Sequence, residues 1–589
     1  MPRHRPPIAR RQPTRQATRA QRQRGAAAVV AVLWLAVAVA ALGALDVGNA
    51  FVARRQMQRA ADMAASAGAQ AIGGPAGCAG ARLAAQANAG DNGLPADASV
   101  TVTCGRWDVP AGSSAPAFSA TGAPLNAVQV DLARQVPYLF VGPARTVHAS
   151  ATAKAVDVGT FSLATGTVTL TGGMLNNVLN SLLGTSLSLG VLTYQNLAAA
   201  QVRIGDLAAA LGAGSVDQLL DMTVSVHDLA NALITAVGAN GTVSADVTSA
   251  LGTIAATVPN GLQVKLGNTA STAGLLAIGL DNPQGALSSK ISVLDTLLVS
   301  AEIANGKAAV ALGSALNLGG LGSVNANLAI VQPPVIAVGE AGLDANGNPR
   351  TSAHAAQVRL QLGVSLLPSI DLGVLANLSA LNLPLYIEAG DATAQLQTTQ
   401  CTASLDTSRS TILAQTGVAG ACVAGDAAAN FSNVSVPLSC RQPVDITSVQ
   451  LLASLVQIYV SVKALNLQLN NPQQASLDFD AAPGDGDDYQ SIDTNAVGGA
   501  TAGLLAQILA QLPDALQVRG VLFGQPFDLS GAPNGVISKL LTGIVTALTP
   551  VLKQLDNVLV PLLQALGVQI GAATVHNIAL SCGEAQLVN

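Results

Sequence analysis

A long uncharged apolar run near the N-terminus is the clearest pattern in the chain. Gly25 to Leu45 carry no charge, and a helix of about 20 such residues crosses the hydrocarbon core of a bilayer. After the polar residues Asp46–Asn49, the stretch Ala50–Ala69 continues as a helix of small residues with charges on one side. The pattern predicts a transmembrane helix with an extension outside the membrane, together residues 25–72, which ends at Gly73-Gly74-Pro75.

An alternating pattern replaces the helical one behind this segment. Ser99–Thr103 and Ala127–Leu132 alternate apolar and polar side chains, which is typical of strands with one buried face. An alanine-rich helix over Ala76–Asn92 and a further strand over Val147–Val156 complete the set. Together these elements predict a small α+β domain at residues 73–156.

The remaining sequence mixes strands with short helices. Residues 157–440 predict a strand-rich α+β region, and residues 441–589 add further strands and two helices with apolar faces, Leu504–Leu516 and Val536–Leu566. These helices are expected to cover a sheet or each other, and the second is expected to break at its two prolines, Pro550 and Pro561. The sequence leaves open whether residues 157–589 form one domain or two.

Charge predicts how the apolar helix is oriented. Residues 1–24 hold eight arginines and no acid, and the excess of positive charge keeps that side of a span in the cytoplasm. The alternative is a cleaved signal peptide, because Ala38-Val39-Ala40 offers a site of small residues. The net charge is −5 and falls to about −13 without the basic tail, which argues against nucleic-acid binding by the exported part.

The composition indicates how the core is packed and predicts that the cysteines form disulfides. Charged residues make up 10% and aromatic residues 3% of the chain, so the core is built from small aliphatic side chains. An even number of cysteines in an exported chain predicts disulfides. Cys78 and Cys104 are close in sequence and are expected to pair. The other four leave three connectivities open: Cys401, Cys422, Cys440 and Cys582.

Two of these cysteines end similar segments. Gly390–Cys401 and Gly571–Cys582 share their glycine, an Ala-Thr pair and the cysteine at the same spacing. Both segments predict strands, either in one sheet or in two related units.

The sequence predicts no catalytic residue, metal site or cofactor. Its five histidines are scattered, and it contains no nucleophile elbow, Walker loop or dinucleotide fingerprint. Asp406–Ser410 matches the Asp-x-Ser-x-Ser metal-ion-dependent adhesion motif, but the polar residues before it favour a Ser/Thr turn. Asp478–Asp493 is an acidic loop that predicts a solvated surface, with weak Ca²⁺ binding as the alternative.

The N-terminal residues also resemble a known family. The resemblance is to the TadG-like proteins of the bacterial Tad (Flp pilus, tight adherence) assembly systems. It is carried by Gly25 and the apolar run, then Asp46, Gly48, Phe51, Arg54-Arg55, Met57-Gln58, Ala60-Ala61-Asp62, Ala64-Ala65 and Ala67-Gly68-Ala69. A weaker match to the extracytoplasmic part of the same family follows at Gly105–Asp108, Leu125–Val130 and Ala149–Ala153.

The resemblance implies a protein that spans the inner membrane once, with a cytoplasmic N-terminus, a periplasmic bulk and no implied catalytic activity. The expected fold class is α+β, with the transmembrane helix extended into the periplasm and strand-rich domains behind it. The motif positions Asp46, Gly48, Gln58 and Asp62 are expected to be structural. The implied partners are the inner membrane and pilus-assembly components or the cell wall.

Two further interpretations remain open on the sequence. The small-residue stripe within Ala50–Ala69 could mediate self-association near the membrane, or it could pack on the chain's own downstream domain. A secreted or surface-exposed adhesin, released by cleavage of the signal, is the competing class to an anchored pilus accessory. A calcium-dependent binding module is the third class.

Overall fold

The structure is a computed structural model that describes most of the chain. It covers residues 17–588 except 109–116, 141, 164–171, 240–244, 270–271, 281–282, 307–309, 314–322, 345, 367–375, 391, 432–437, 452–455, 470–472, 483, 485–486, 494–499, 524, 528–533, 566–567 and 569–571. The arginines at positions 3 to 15 lie outside the described residues.

One long helix and the strands behind it form the N-terminal part. The helix runs without a break through the polar residues Asp46–Asn49. The elements in chain order are α1 (Ala17–Ile72), α2 (Gly77–Asp91), β1 (Ser99–Asp108), β2 (Ala117–Ser119), β3 (Ala127–Val136), β4 (Arg145–Lys154) and β5 (Val158–Leu163).

Seven helices and five short strands follow. Ser215 caps one of these helices, because its side chain accepts a hydrogen bond from the backbone of Gln218. The elements are α3 (Gly172–Leu183), α4 (Val191–Ala199), β6 (Gln201–Arg203), α5 (Ile204–Ala210), α6 (Val216–Asp221), β7 (Thr223–Ser225), α7 (Val226–Ala239), α8 (Ala245–Thr257), β8 (Gln263–Lys265), β9 (Leu276–Gly279), β10 (Lys290–Ser292) and α9 (Val293–Asn305).

Strands dominate the rest of the described chain. The next ten are β11 (Val310–Gly313), β12 (Ser323–Gln332), β13 (Ile336–Gly339), β14 (Ser352–His354), β15 (Gln357–Leu366), β16 (Ala376–Leu378), β17 (Leu381–Gly390), β18 (Thr393–Gln400), β19 (Arg409–Gln415) and β20 (Val418–Val423). The last elements are α10 (Ala427–Asn430), β21 (Val444–Leu451), β22 (Val456–Val462), β23 (Leu465–Leu469), β24 (Gln474–Asp480), β25 (Tyr489–Asp493), α11 (Ala500–Ala515), β26 (Leu516–Leu522), β27 (Gln525–Phe527), α12 (Asn534–Ala565), β28 (Ala572–Ser581) and β29 (Gln586–Val588).

The sheets combine strands from distant parts of the chain. The N-terminal sheet has the order β2-β1-β3-β4-β29, so the C-terminal strand β29 forms its edge. Four further sheets have between four and six strands each, with the orders β11-β12-β15-β17-β20-β23, β25-β28-β5-β13-β9, β14-β18-β19-β24 and β16-β21-β22-β26-β27. Each of these four sheets contains strands from before and after residue 440; in the last of them, β16 is the strand from the earlier range. Residues 157–440 and 441–589 therefore share their sheets, and the chain shows no structural boundary at residue 440.

Three apolar cores explain this arrangement. The first packs α1 and α2 on the N-terminal sheet through alanines and small aliphatic residues. The largest joins the helices between Gly172 and Asn305 to the six-stranded sheet and to α11 and α12. The third lies between the β5 sheet and the β18 sheet, with Phe161 and Phe479 fully buried in it. The structure therefore confirms the α+β fold with an N-terminal apolar helix and covering helices.

The predicted break in the last helix is wrong. The helix α12 continues from Asn534 to Ala565 through both prolines. Pro550 lies on the exposed face, where water can satisfy the carbonyl that loses its partner. The opposite face packs against α11 and buries Ile544, Leu548 and Leu552, and this packing offsets the lost hydrogen bond.

Candidate functional site

The N-terminal half of α1 is an exposed apolar surface. Among the described residues, one helix is long and apolar enough to cross a membrane, and the most hydrophobic window within Gly25–Ile72 is not buried by the rest of the chain. Large side chains such as Trp34 and Leu35 are more than two-thirds exposed. Burying such a surface in hydrocarbon is favourable, so this segment fits a membrane anchor.

Asp46 lies where the apolar run ends, and it is buried. Its carboxylate oxygens accept hydrogen bonds from the backbone N–H groups of Leu139 and Phe140, at 2.7 and 3.1 Å. These residues belong to the turn between β3 and β4. Only 1% of Asp46 is exposed, so the charge is held by backbone donors and not by water. The residue that the family resemblance singles out therefore ties a distant turn to the anchor helix.

A second motif residue, Gln58, ties the same hairpin to the helix about 18 Å further along α1. The Gln58 side chain donates hydrogen bonds to the Asp62 carboxylate, at 2.8 Å, and to the backbone oxygen of Ser150 on β4, at 2.9 Å. Gly48 differs from these residues, because a Cβ built there would meet nothing within 4 Å. The structure therefore brings Gln58 and Asp62 together and gives Gly48 no packing role.

The small-residue stripe of α1 packs on the chain's own sheet. Ala53, Met57, Ala60 and Ala64 are all buried, and Met57, Ala60 and Ala64 belong with β3 and β4 to one core. Of the two expectations for the stripe, the structure therefore shows packing on the chain's own downstream domain. The expectation of self-association through this face is corrected, because the face is already covered.

Close packing on this stripe leads to a stability prediction. Ala64 is fully buried, and Ala64→Leu adds methylene groups to a filled core. We expect a loss of about 1–3 kcal/mol in the free energy of unfolding, measured by guanidinium titration of the full chain in detergent. The control is Ala79→Leu on the exposed face of α2. Equal effects for the two variants would contradict this packing.

All six cysteines form disulfides in the structure. The bonds join Cys78 to Cys104, Cys401 to Cys582 and Cys422 to Cys440. The second bond links the ends of β18 and β28, the two segments of similar sequence. These strands lie in separate sheets that face each other across the third core.

A cluster of buried charges joins the N-terminal sheet to the rest of the chain. Both terminal nitrogens of Arg106 on β1 contact the Glu340 carboxylate at 2.7 Å, and Nε contacts Asp108 at 2.8 Å. Arg350 contacts Asp108 at 3.2 Å and Glu340 at 3.7 Å. Burial lowers the pKa of Arg106, but the hydrogen bonds and charge of Glu340 dominate and hold it above its usual range. The cluster stabilises the contact between the two parts.

A second buried polar group contains a serine, an aspartate and a histidine. Asp295 on α9 accepts hydrogen bonds from the Ser162 hydroxyl and from Nδ1 of His576, both at 2.8 Å. Burial alone would raise the pKa of Asp295, but His576 and these hydrogen bonds hold it below its usual range. A nucleophilic triad places the histidine between serine and carboxylate. Here the carboxylate stands in the middle, so Ser162 donates to Asp295 and not to the histidine that activates the serine of a triad.

Two turns beyond Asp295, α9 carries a buried acid. Ten consecutive residues of α9, Val293 to Glu302, are buried, and Oε2 of Glu302 makes no hydrogen bond within the described chain. Burial raises the pKa of the Glu302 carboxyl well above its usual range. This group is therefore a source of instability at neutral pH.

The effect of Glu302 depends on pH with a definite sign. As pH rises above about 4.3, the unfolded chain releases this proton while the folded chain retains it. Folding therefore loses stability with rising pH, and Glu302→Gln removes this loss. We expect the variant to equal the native chain near pH 4 and to exceed it by about 1–3 kcal/mol at pH 7. Guanidinium titrations at both pH values measure this, with exposed Glu584→Gln as the control. A difference that does not change with pH would contradict the prediction.

Oxygen atoms of both candidate metal motifs form hydrogen bonds with other groups of the protein. In the Asp406–Ser410 stretch, the Ser408 hydroxyl donates to the carbonyl of Ser404, as in a Ser/Thr turn. In the acidic loop, Asp478 accepts from Thr411, and Asp480 accepts from the backbone of Ala482. Part of this loop lies outside the described residues.

Among the described residues, one group of candidate metal ligands converges, and it consists of Asp157, Cys401 and Cys582. Both sulfurs are bonded to each other and cannot act as thiolate ligands. Sequence reasoning did not find Glu340, Arg350 or Asp295. Asp295 and Glu340 are each a charged residue in an apolar stretch, and Arg350 lies in a polar turn, so each is a weak signal without a partner in sequence.

Comparison with known families places this geometry in context. Residues 25–71 match a family described as Flp pilus-assembly TadE/G-like, and residues 67–155 match a family described as Tad-like Flp pilus-assembly. Residues 171–304 match a domain of unknown function, DUF8293. No curated protein and no solved structure gives a significant match. The first two matches confirm the resemblance to TadG-like proteins and associate the N-terminal region with pilus assembly.

Proposed function

We propose that this chain is a non-enzymatic accessory of Flp pilus assembly, anchored in the inner membrane by α1. The arginine-rich N-terminus lies in the cytoplasm, and the residues from 73 onward lie in the periplasm. The observation that carries the proposal is the continuity of α1. Its exposed apolar half leads directly into a half that is buried against the N-terminal sheet, so the exported part is fixed rigidly to the anchor.

Three further observations support this orientation. The basic tail precedes the span, and positive charge is retained on the cytoplasmic side. Three disulfides lie beyond the span, and disulfides persist in oxidising compartments such as the periplasm. The family matches to pilus-assembly proteins cover the anchor and the adjoining sheet.

The same observations suggest how the chain is divided. We propose a tail at residues 1–24, an anchor helix at 25–72 and a juxtamembrane α+β domain at 73–156 that is closed by β29. One distal unit contains the remaining residues. This unit presents the surfaces for pilus components or the cell wall, and the buried ion cluster holds it against the juxtamembrane domain.

Deletion of the chain in its native bacterium tests the proposal. We expect surface pilin recovered by shearing to fall on deletion and to return with the full chain. A version released into the periplasm by a cleavable signal, in place of residues 1–45, is expected not to restore it. Unchanged pilin after deletion would contradict the proposal. Restoration of surface adhesion by the released version without pilin would favour the adhesin alternative.

A further inference from the structure

The turn between β3 and β4 presents an apolar tip to solvent. We name residues 137–140, Pro-Tyr-Leu-Phe, the apolar tip. Leu139 is 67% and Phe140 is 54% exposed. Single exposed apolar residues are common on protein surfaces, so exposure alone does not suggest a function. The position of the tip, beside the end of the apolar run of α1, does suggest one.

Hydrogen bonds to the anchor helix fix that position. The backbone N–H groups of Leu139 and Phe140 bind Asp46, the first residue after the apolar run. Twelve residues further along α1, about 18 Å at the helical rise, Gln58 binds the backbone of Ser150 on β4. The β3–β4 hairpin therefore runs along α1 towards the membrane, and its tip lies at the depth where the helix leaves the hydrocarbon.

We propose that the apolar tip inserts into the periplasmic leaflet of the bilayer that α1 crosses, an inference that rests on the proposed membrane anchoring. Leu139 and Phe140 lie beside Asp46, which exposed Leu45 and Val47 flank on α1, and aromatic side chains are favoured at such interfaces. Asp46 does not oppose insertion, because two backbone donors hold its charge. Arg145, exposed at the start of β4, lies close enough in sequence to contact anionic headgroups.

The insertion gives the hairpin a mechanical role. A single spanning helix leaves the helix and the exported part, as one unit, free to rotate about the helix axis and to tilt in the bilayer. The tip is a second contact beside the helix, and it fixes the orientation of the N-terminal sheet relative to the membrane plane. The distal unit, which the ion cluster holds against this sheet, is thereby oriented as well.

Tryptophan quenching by brominated lipid tests the inference on the full chain. The sequence contains two tryptophans, Trp34 and Trp107. A Trp107→Phe variant leaves Trp34 as the reporter of the anchor. Trp34→Phe, Trp107→Phe and Phe140→Trp together place the reporter in the tip. Leu83→Trp on the same background is the control, because exposed Leu83 lies on α2, whose Ala81 and Ala85 contact Gly68, about 33 Å along α1 from Asp46. The vesicles contain phosphatidylcholine and phosphatidylglycerol with brominated chains.

We expect strong quenching of Trp34, quenching and a shift to shorter wavelength for the tip reporter, and neither effect for the Leu83 position. Adding Asp46→Ala is expected to cause loss of the tip quenching while Trp34 remains quenched. Quenched Trp34 with an unquenched tip would overturn insertion and leave the anchor intact. Unquenched Trp34 would overturn the anchor and the insertion together.

Discussion

Replacing Arg106 with alanine is expected to destabilise the protein by about 3–5 kcal/mol, because it leaves Glu340 as a buried charge without its main partner. The bidentate contact between Arg106 and Glu340 joins β1 to the end of β13, across 234 residues of sequence. Arg350 stays in place, with a contact to Glu340 at 3.7 Å. The free energy of unfolding is measured by guanidinium titration in detergent, followed by the emission of adjacent Trp107.

Two variants separate this cluster from a general effect of lost charge. Arg106→Lys keeps the charge but loses the bidentate geometry, so an intermediate loss is expected. Arg134→Ala removes a more exposed ion pair between β3 of the same sheet and Asp97, which precedes β1; this loss is expected to cost less than about 1 kcal/mol. If Arg106→Ala cost no more than Arg134→Ala, the cluster would not hold the two parts together.

Removing the Cys401–Cys582 disulfide is expected to have the largest effect on stability. The bond closes a loop with a sequence separation of 181 residues. Cross-linking so long a loop lowers the conformational entropy of the unfolded chain, and this effect stabilises the folded state by about 5 kcal/mol. We therefore expect a large drop in the thermal midpoint of the double variant Cys401→Ser, Cys582→Ser, and circular dichroism measures this midpoint.

The Cys422–Cys440 bond provides the matched control. Its separation is 18 residues, for which the same effect contributes about 3 kcal/mol. Both double variants keep the same side-chain chemistry, so the comparison isolates loop length. A larger loss for the Cys422–Cys440 variant would show that local packing, and not loop closure, controls the contribution of these bonds.

Local pattern was sufficient to predict the anchor and several strands. The apolar run and its helical extension appear as one helix, and the alternation at Ser99–Thr103 and Ala127–Leu132 lies within β1 and β3. Each of these signals is carried by neighbouring residues along a short stretch of sequence. Helix and strand geometry repeat over the same short distance, so the pattern is visible without knowledge of the fold.

Contacts between distant residues could not be predicted from such patterns. Nothing near Arg106 indicates Glu340, and nothing near Lys154 indicates that β29 pairs with β4. Asp46 was identified as a motif residue, but its partners in the β3–β4 turn lie more than 90 residues away. The sequence shows which residue types are unusual, and the fold decides which of them meet.

Some local signals were outweighed by tertiary packing or served a different purpose. The prolines of α12 did not end the helix, because one exposed face tolerates a lost hydrogen bond while the other face is buried. Asn305-Gly306, a typical hairpin dipeptide, instead ends α9, with Gly306 at a φ of 64°. Glycine adopts this left-handed conformation at helix ends as readily as in turns.

Mass spectrometry of the N-terminal peptides from fractionated cells tests the central claim most directly. The account predicts that peptides from the arginine-rich tail at residues 1–24 are recovered with the inner-membrane fraction, on the same chain as the disulfide-bonded peptides. A mature chain that begins near Ala41 or Asp46 and is recovered as a soluble or surface protein would contradict the anchor. In that case the chain would be an exported adhesin, and the contact between Asp46 and the β3–β4 turn would have no membrane beside it.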